Sequence, residues 1–418
     1  MPNTTMARFT VPDLQFGIEL EFVAPPMAEP PILSRRYPNY IPQNLRREGC
    51  FLQMAQLLQG NGLPSAMDLL LTESDCEEDP YRVDAPVGAI VNKDLRVMDP
   101  KSIPDKRAVV DKQIRFHYWM FKPECDLTSR EQYVMWSETE LNSPILPESE
   151  VATGFPRVAK ALRLIAECHE AGMHINERCG LHVQISPVHG LTARQAKQAV
   201  TIVYIIEPYL LFHFCHPSRQ NAHKPITLAK FAKLKHGLTP SRNEILDIKL
   251  REWMPLPLLT VHGNRLRSLW DDANDLEDVS QLLDILPDNP PKERARCGLN
   301  VNGHCNSKDN WTYTLEFRYA QASFNQEFVA NWITLLFAIG KVSCLPAPEF
   351  REVVTKLWEV TKVAPKPEEA WRPLLHIIGD AVPTEEGISL DASYWERRLN
   401  DYQSKNYPDV KEGRAVLK

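Results

Sequence analysis

The sequence lacks any stretch that is long and apolar enough to cross a bilayer. Its longest apolar helical run, residues 328–339, is shorter than the roughly 20 residues of a spanning helix and contains Asn331 and Thr334. The first eleven residues are polar and do not contain the apolar core of a signal peptide. These absences predict a cytoplasmic protein with no membrane partner.

An excess of one charge is also lacking. The 48 basic and 54 acidic residues leave a formal net charge of −6, which is too balanced to indicate a nucleic-acid partner. Nine cysteines are scattered without CxxC spacing, as is typical of reduced thiols in an intracellular protein. No HExxH or GxxxxGK[ST] string occurs, which disfavours a zinc protease and a Walker-type phosphate loop.

The domain organisation is predicted from length and from proline-rich composition. With 418 residues, 43% of them hydrophobic, the chain is long enough to bury a large core. We expect a catalytic domain at 1–345 and a helical C-terminal extension at 346–418. Segments 25–42, 71–104 and 253–294 are expected to be insertions in the catalytic domain.

Three helices are predicted from apolar positions at helical spacing, at residues 155–171, 196–214 and 326–342. Thr192 and Gln195 form a capping-box signature before the second helix, and Asn325 can cap the third. A short polar helix is expected at 271–286. The second and third helices are apolar nearly all round and should be buried.

Four segments alternate strictly between polar and apolar residues and are predicted strands: 14–22, 180–186, 298–302 and 312–319. We therefore expect an α+β fold built on a curved, mainly antiparallel sheet. Helices would cover its apolar side, and the active site would lie on its concave polar side. Segments 25–42 and 253–294 are candidate covers for that site.

The polar faces of these strands carry an unusual set of side chains. One strand contributes Glu19 and Glu21, another contributes His182, and a third contributes Glu316 and Arg318. Carboxylates two residues apart on a strand lie about 7 Å from each other, which suits two neighbouring cations. Oxygen ligands with one imidazole favour Mg²⁺ or Mn²⁺, and two cations beside an arginine suit phosphoryl transfer.

Each of these features has an ordinary explanation when taken alone. A Glu-x-Glu pair is more often a solvated strand face than a ligand pair, and Glu316 with Arg318 could be a simple pair on the sheet. The combination is harder to explain structurally, because Glu19 and Glu21 repel each other on one face. The imidazoles of His117, His174 and His304 have no identifiable partner and are predicted to be structural or exposed.

The marker strands resemble a known family. The strings FGIELEF, CGLHVQIS and TLEFR resemble the three marker strands of the glutamine synthetase and γ-glutamylcysteine ligase superfamily, and more closely those of its amidoligase branch. That branch also has a Trp followed by an acidic residue and then Glu-x-x-Ser-Pro, as in Trp119, Glu124 and 140–144. A Ser-Arg pair and an Asn before the last strand match Ser218-Arg219 and Asn300. The resemblance covers about residues 16–339.

The resemblance implies an ATP-dependent ligase that joins a carboxylate to an amine through an acyl phosphate, with Mg²⁺ or Mn²⁺. Its substrates would be small-molecule or peptide carboxylates and amines. The implied roles fall on eleven residues, of which Glu124 and Asp126 are alternatives for one role. The metal beside the ATP phosphates would be bound by Glu19, His182 and Glu316, and the second metal by Glu21, Glu140 and either Glu124 or Asp126. The chemical step would use Arg318 with Glu316. The nucleotide would contact His182, Gln184, Arg219 and Arg318, and the substrate would be held by Arg219 and Asn300.

Two departures from the family pattern leave alternatives open. The family commonly has His where this chain has Gln184, which cannot titrate, so a proton-transfer role there is in doubt. The acidic element reads Glu124-Cys125-Asp126, so either carboxylate can be the ligand. The rival functions are a metal-dependent hydrolase on the same sheet and a catalytically silent binding protein. A nucleophilic Cys179 is a minor alternative, and the oligomeric state stays open.

Overall fold

One large sheet dominates the part of the chain that the computed structural model describes. That part comprises residues 11–26, 42–68, 89–92, 95–103, 112–125, 127, 136–217, 219, 227–228, 232–235, 250–284, 297–307, 310–364, 366–382, 388–404, 410–411 and 414–415. Its sheet strands, in chain order, are β1 Leu14–Ala24, β2 Ser65–Asp68, β3 Ala89–Asn92, β4 Leu95–Val97, β5 Trp119–Pro123, β6 Ser137–Asn142, β7 Leu146–Pro147, β8 Gly180–Pro187, β9 Leu299–Ser307 and β10 Asn310–Gln321.

The strand order places the predicted strands side by side. It runs β3-β4-β2-β5-β6-β1-β8-β10-β9, and β7 pairs with the start of β1. Every pairing is antiparallel except that of β2 with β5. The expected α+β class with a mainly antiparallel sheet is therefore confirmed, and β1, β8 and β10 are consecutive neighbours toward the β9 edge of the sheet.

Helices supply the second layer. They are α1 Pro42–Gly60, α2 Glu148–Ala152, α3 Pro156–Glu167, α4 Ala193–Ile206, α5 Leu256–Arg267, α6 Leu276–Leu283, α7 Gln326–Val342, α8 Ala347–Val363, α9 Pro367–Asp380 and α10 Ala392–Gln403. Shorter helical turns lie at Pro100–Ser102, Lys112–His117, Glu207–Leu211, Phe212–Phe214, Lys233–Lys235 and Ser268–Asp272. None of the described helices is both long and apolar enough to span a membrane.

The apolar face of the sheet packs on α7. The alternating residues Leu14 and Phe16 of β1 are almost fully buried, and the Phe16 ring meets the Phe337 ring of α7 edge to face, 6.0 Å between centroids. Gly340 of α7 permits this close approach, because a Cβ there would lie 3.0 Å from Leu14 Cδ1. Burial of one strand face and one helix face against each other leaves the other strand face for polar side chains.

The predicted helices are largely confirmed, with corrected ends. Helix α7 has the predicted bounds and its Asn325 cap, and the capping box of Thr192 and Gln195 is formed at α4. Helix α3 ends at Glu167 rather than at 171. Helix α4 ends at Ile206 rather than at 214. A π-helical turn, Glu207–Leu211, follows it directly. Pro208 lies in that turn and has no backbone N–H to continue the α-helical ladder.

Segment 253–294 differs from the prediction in the start of its helix and in the elements on which it packs. Its helix α6 begins at Leu276, capped by Asp275, rather than at 271. The described part, 253–284, does not cover the polar face: Lys197 of α4 donates to the carbonyl of Trp270 at 2.9 Å, and Ser280 of α6 donates to the carbonyl of Val301 at 2.8 Å. It packs instead on α4 and the outer strand β9. The other candidate cover, 25–42, lies almost wholly outside the described residues.

The C-terminal helices share one hydrophobic core with the sheet, since the core cluster extends from Val11 to Tyr402. The Trp395 ring of α10 stacks on Phe214, 4.0 Å between centroids. Deeper in this core, the Tyr319 hydroxyl of β10 donates to the buried Glu207 carboxylate at 2.7 Å. The hydrogen bond offsets part of the cost of burying that carboxylate.

Candidate active site

Cross-strand pairing brings the marker residues to one face. Glu19 of β1 is the direct partner of His182 on β8, and Gln184 of β8 is the direct partner of Glu316 on β10. Asn300 of β9 is in turn the partner of Glu316. Directly opposed residues point to the same side of a sheet. Side chains that are far apart in the sequence therefore form a continuous polar row.

Three of these side chains form a group that fits a metal ion. Ligand atoms of Glu19, His182 and Glu316 all lie within 4.8 Å of one another. The His182 side chain is 2% exposed and that of Glu316 is 1% exposed. Two carboxylates and one imidazole, held rigidly out of bulk water, are a donor set that suits Mg²⁺ or Mn²⁺. The residues present therefore fit the cation that the sequence predicts.

The Glu19 carboxylate is held in its charged form. Burial opposes ionisation, but the hydrogen bond and charge of His182, with the charges of Lys122 and Arg318, outweigh it and lower the pKa of Glu19 below its usual range. His182 Nδ1 lies 3.2 Å from one Glu19 oxygen, and Gln184 Nε2 donates to the other at 2.6 Å. A deprotonated, oriented carboxylate is the form that a cation requires.

Gln184 links this group to a histidine that sequence reasoning missed. Its amide oxygen lies 3.1 Å from His304 Nε2 and accepts from the Thr314 hydroxyl at 3.2 Å. Burial lowers the pKa of His304, which favours its neutral form. The partner of His304, which could not be identified from the sequence, is therefore Gln184. The signal for His304 was present, because it continues the alternation of Asn300 and Asn302 along β9, but the strand was predicted to end at 302.

The Arg318 guanidinium lies at the edge of the metal group. Its Nη1 donates to Glu316 Oε1 at 2.5 Å, and its side chain is 24% exposed. Burial disfavours the charge, but the carboxylates of Glu316, Glu21 and Glu19 raise the pKa of Arg318 further. After Phe317 a β-bulge interrupts the register with β8. Arg318 is thus a permanent cation, partly exposed, beside three carboxylates.

Glu21 and Arg219 lie beside the marker glycine of β8. The backbone N–H of Gly180 donates to Glu21 Oε2 at 2.7 Å, and His182 Nε2 lies 3.5 Å from Glu21 Oε1. Arg219 Nη1 donates to the carbonyls of Glu177 and Arg178 at 3.1 and 3.2 Å. A Cβ on Gly180 would lie 2.7 Å from His182 Nε2 and 2.9 Å from Arg219 Nη2, so only glycine fits there.

A second carboxylate group contains a lysine that was not predicted. Lys122 of β5 and Glu140 of β6 are direct partners, and Lys122 Nζ lies 2.8 Å from Glu140 Oε1. Burial and the Glu19 charge raise the pKa of Glu140, and Lys122 opposes this shift. Glu124 hydrogen-bonds Glu140 and also accepts the backbone N–H of Cys125 at 3.0 Å. Asp126, the alternative ligand, lies outside the described residues.

A cavity of about 760 Å³ opens beside Glu19. Its floor is the polar face of β1 and β8, including Gln15, Gln184 and Ser186, and Lys122 and His304 also line it. Ile145 and Val188 are half-exposed on its wall. A volume of this size, lined by both polar groups and apolar side chains, is typical of a site for a drug-sized or nucleotide-sized ligand.

The cysteines near the marker strands do not have the properties of nucleophiles. Cys179 is fully buried, and burial raises the pKa of its thiol strongly. Burial likewise raises the pKa of Cys297 to about 12. A nucleophilic thiol has a lowered pKa and an exposed sulfur. The geometry therefore favours the carboxylate and imidazole group over covalent catalysis.

Comparison with known proteins agrees with the marker strands. Residues 12–225 match the model of the family described as "putative amidoligase enzyme". The matched segment includes β1, β5, β6 and β8, and so contains every site residue discussed above except those of β9 and β10. Among curated proteins, none matches the chain significantly.

Proposed function

This chain belongs to the amidoligase family, and from that premise we propose that it is an ATP-dependent carboxylate–amine ligase with a glutamine synthetase-like catalytic sheet. In the proposed reaction the terminal phosphoryl group of ATP passes to a substrate carboxylate, which gives an acyl phosphate and ADP. An amine then attacks the acyl carbon, and phosphate leaves as the amide forms. The single observation that carries the proposal is the convergence of Glu19, His182 and Glu316 beside the Arg318 guanidinium.

The roles of the residues follow from their chemistry. Mg²⁺ or Mn²⁺ bound by Glu19, His182 and Glu316 would neutralise phosphate charge and polarise the phosphoryl group. Arg318 donates to Glu316 through one nitrogen, and a guanidinium has further N–H groups that can bind phosphoryl oxygens. Gln184 orients Glu19 through its amide N–H, while its own oxygen is held by His304 and Thr314.

The two ends of the polar row would bind different substrates. The cavity beside Glu19 is large enough for a nucleotide, and its half-exposed Ile145 and Val188 offer apolar contact to a base. At the other end Arg219 lies against Glu21, where a cationic group can hold a substrate carboxylate. In this arrangement Asn300 borders the phosphoryl group, as the cross-strand partner of Glu316.

The ligase is favoured over the alternatives by two features together. A hydrolase using the same carboxylates has no need of Arg318 beside the metal group, whereas phosphoryl transfer builds charge that a guanidinium stabilises. A silent binding protein is disfavoured because Gln184, the main departure from the family pattern, is hydrogen-bonded into the site rather than lost from it. The Gln184 amide therefore still orients Glu19, a proposed metal ligand.

Calorimetry of ATP binding tests the metal requirement. We expect ATP to bind in the presence of Mg²⁺ or Mn²⁺ and to lose most of its affinity in EDTA, because the phosphates otherwise face three carboxylates. Equal affinity under both conditions would contradict the proposal. A screen of carboxylate and amine mixtures, with ADP release as readout, then separates the candidates: a hydrolase turns over without ATP, and a binding protein releases no ADP.

A further inference from the structure

The second carboxylate group already holds a cation that belongs to the chain. Lys122 Nζ lies 2.8 Å from Glu140 Oε1, and the Glu140 side chain is 4% exposed. Burial disfavours the ammonium, but the carboxylates of Glu140 and Glu19 raise the pKa of Lys122 above its ordinary value. The Lys122 ammonium therefore lies against the Glu140 carboxylate, its cross-strand partner, with the Glu19 charge nearby.

The carboxylate next to Glu140 also has partners from the chain. Glu21 is the direct cross-strand partner of Glu140. Its two oxygens face the backbone N–H of Gly180 at 2.7 Å and His182 Nε2 at 3.5 Å, and Arg219 adds a nearby positive charge. The Glu140 and Glu21 oxygens that the family resemblance assigns to a second metal thus face Lys122, Gly180 and His182.

The proposed metal ligands Glu19, His182 and Glu316 are arranged differently from the carboxylates of Glu140 and Glu21. In the described part of the chain, Glu19, His182 and Glu316 are the one set of three ligand side chains whose atoms lie within 4.8 Å of one another. Glu140, Glu21 and Glu124 do not form a second such set. The Lys122 ammonium beside Glu140 and the Arg219 guanidinium near Glu21 already supply positive charge where a second metal ion would lie.

We propose that Lys122 takes the place of the second cation, so that each chain binds one divalent ion rather than two. Lys122 is then a positioning residue: its ammonium forms an ion pair with Glu140, and its side chain lines the cavity that Glu19 also lines. The oxygens of a phosphoryl or carboxylate group at that wall fit an ammonium with three donors. The nature of this anion rests on the proposed ligase function, but the number of ions does not.

The number of Mn²⁺ ions per chain tests this proposal directly. The full chain is titrated with Mn²⁺ in the absence of nucleotide. Bound ions are counted by calorimetry and by the loss of the electron paramagnetic resonance signal of free Mn²⁺. We expect one ion for the natural sequence and none for Glu19→Gln. For Lys122→Met, which keeps the apolar stem and removes the ammonium, we expect two.

Controls separate the charge of Lys122 from a general effect of the substitution. Lys122→Arg retains a cation and should keep the count at one. Lys233→Met removes a lysine from an exposed ion pair with Asp284 and should also keep it at one. Two ions in the natural sequence, or one in a folded Lys122→Met variant, would overturn the proposal. Because the count in the natural sequence is decisive, the test holds even if the Met variant fails to fold.

The outcome also distinguishes this proposal from the proposed function. A count of zero in the natural sequence would contradict the metal group of Glu19, His182 and Glu316, and with it both proposals. A count of two would leave the ligase intact and remove only the role of Lys122.

Discussion

Replacing Arg318 by Lys tests whether a planar guanidinium is needed in the chemical step. Arg318 Nη1 is bound to Glu316 at 2.5 Å, and the side chain is still 24% exposed. It can therefore bind Glu316 and a phosphoryl oxygen with different nitrogens of one rigid fork. A lysine ammonium is a point charge, and the carboxylates of Glu316, Glu21 and Glu19 around it will draw it away from the phosphoryl group.

The expected loss corresponds to one preorganised donor in the transition state. Removal of such a donor costs about 10²–10³ in kcat, which is roughly 2.7–4 kcal/mol of activation free energy. Because Lys keeps the charge, the fold and the metal group should be preserved. The KM for ATP should change by only a few-fold, since the proposed metal site and the cavity still hold the nucleotide.

Steady-state kinetics by ADP release, with a substrate pair found by screening, measure this loss. Arg397→Lys is the matched control: Arg397 forms an exposed ion pair with Glu327 at 3.1 Å, where such pairs contribute little, and its kcat should not change. If Arg318→Lys retains kcat within a few-fold of the natural protein, Arg318 is merely an ion-pair partner on the sheet. The assignment to the chemical step would then be refuted.

Three further predictions concern the site and the core. Glu19→Gln and Glu316→Gln should each abolish turnover and Mn²⁺ binding. The temperature of thermal unfolding should shift little, because an amide oxygen can still accept the local hydrogen bonds. Loss of the unfolding transition in either variant would show that these residues are structural. Cys179→Ser should retain most of the activity, since the thiol is buried with a raised pKa, and a loss of several orders of magnitude would favour covalent catalysis instead. Tyr319→Phe should lower the free energy of unfolding by about 1.5–3 kcal/mol, because it removes the hydroxyl that donates to a buried carboxylate. Tyr313→Phe, at a 3.5 Å exposed contact, should leave the urea midpoint nearly unchanged, and equal effects of the two substitutions would contradict this interpretation.

The sheet and the main site residues could be predicted because alternation along a strand is local information. Once residues 14–22, 180–186 and 312–319 are assigned as strands, Glu19, His182 and Glu316 must each lie on a polar face. That these faces are contiguous does not follow from alternation, because strand order is a property of the whole chain. It came instead from the resemblance between the three marker strings and one family.

The parts that were missed depend on contacts across the sheet. Lys122 lies on a five-residue strand that ends at Pro123, and its first three residues, Trp119 to Phe121, are all buried, so burial does not alternate along it. The π-helical turn after α4 and the bulge after Phe317 are irregularities that packing selects. Lys122 could be recognised as a site residue only once its cross-strand partner Glu140 was known.

The long separation of the metal-binding side chains along the sequence has a consequence for folding. Glu19 and His182 are 163 residues apart, and Gln184 and Thr314 are 130 apart, so the group forms only after β1, β8 and β10 have paired. Closing such long loops costs conformational entropy, so these side chains are not held together in the unfolded chain. A divalent ion at the proposed site would therefore bind the assembled sheet in preference to the unfolded chain and would stabilise it by mass action. During refolding, the uptake of Mn²⁺ would mark the moment at which β1, β8 and β10 first lie side by side.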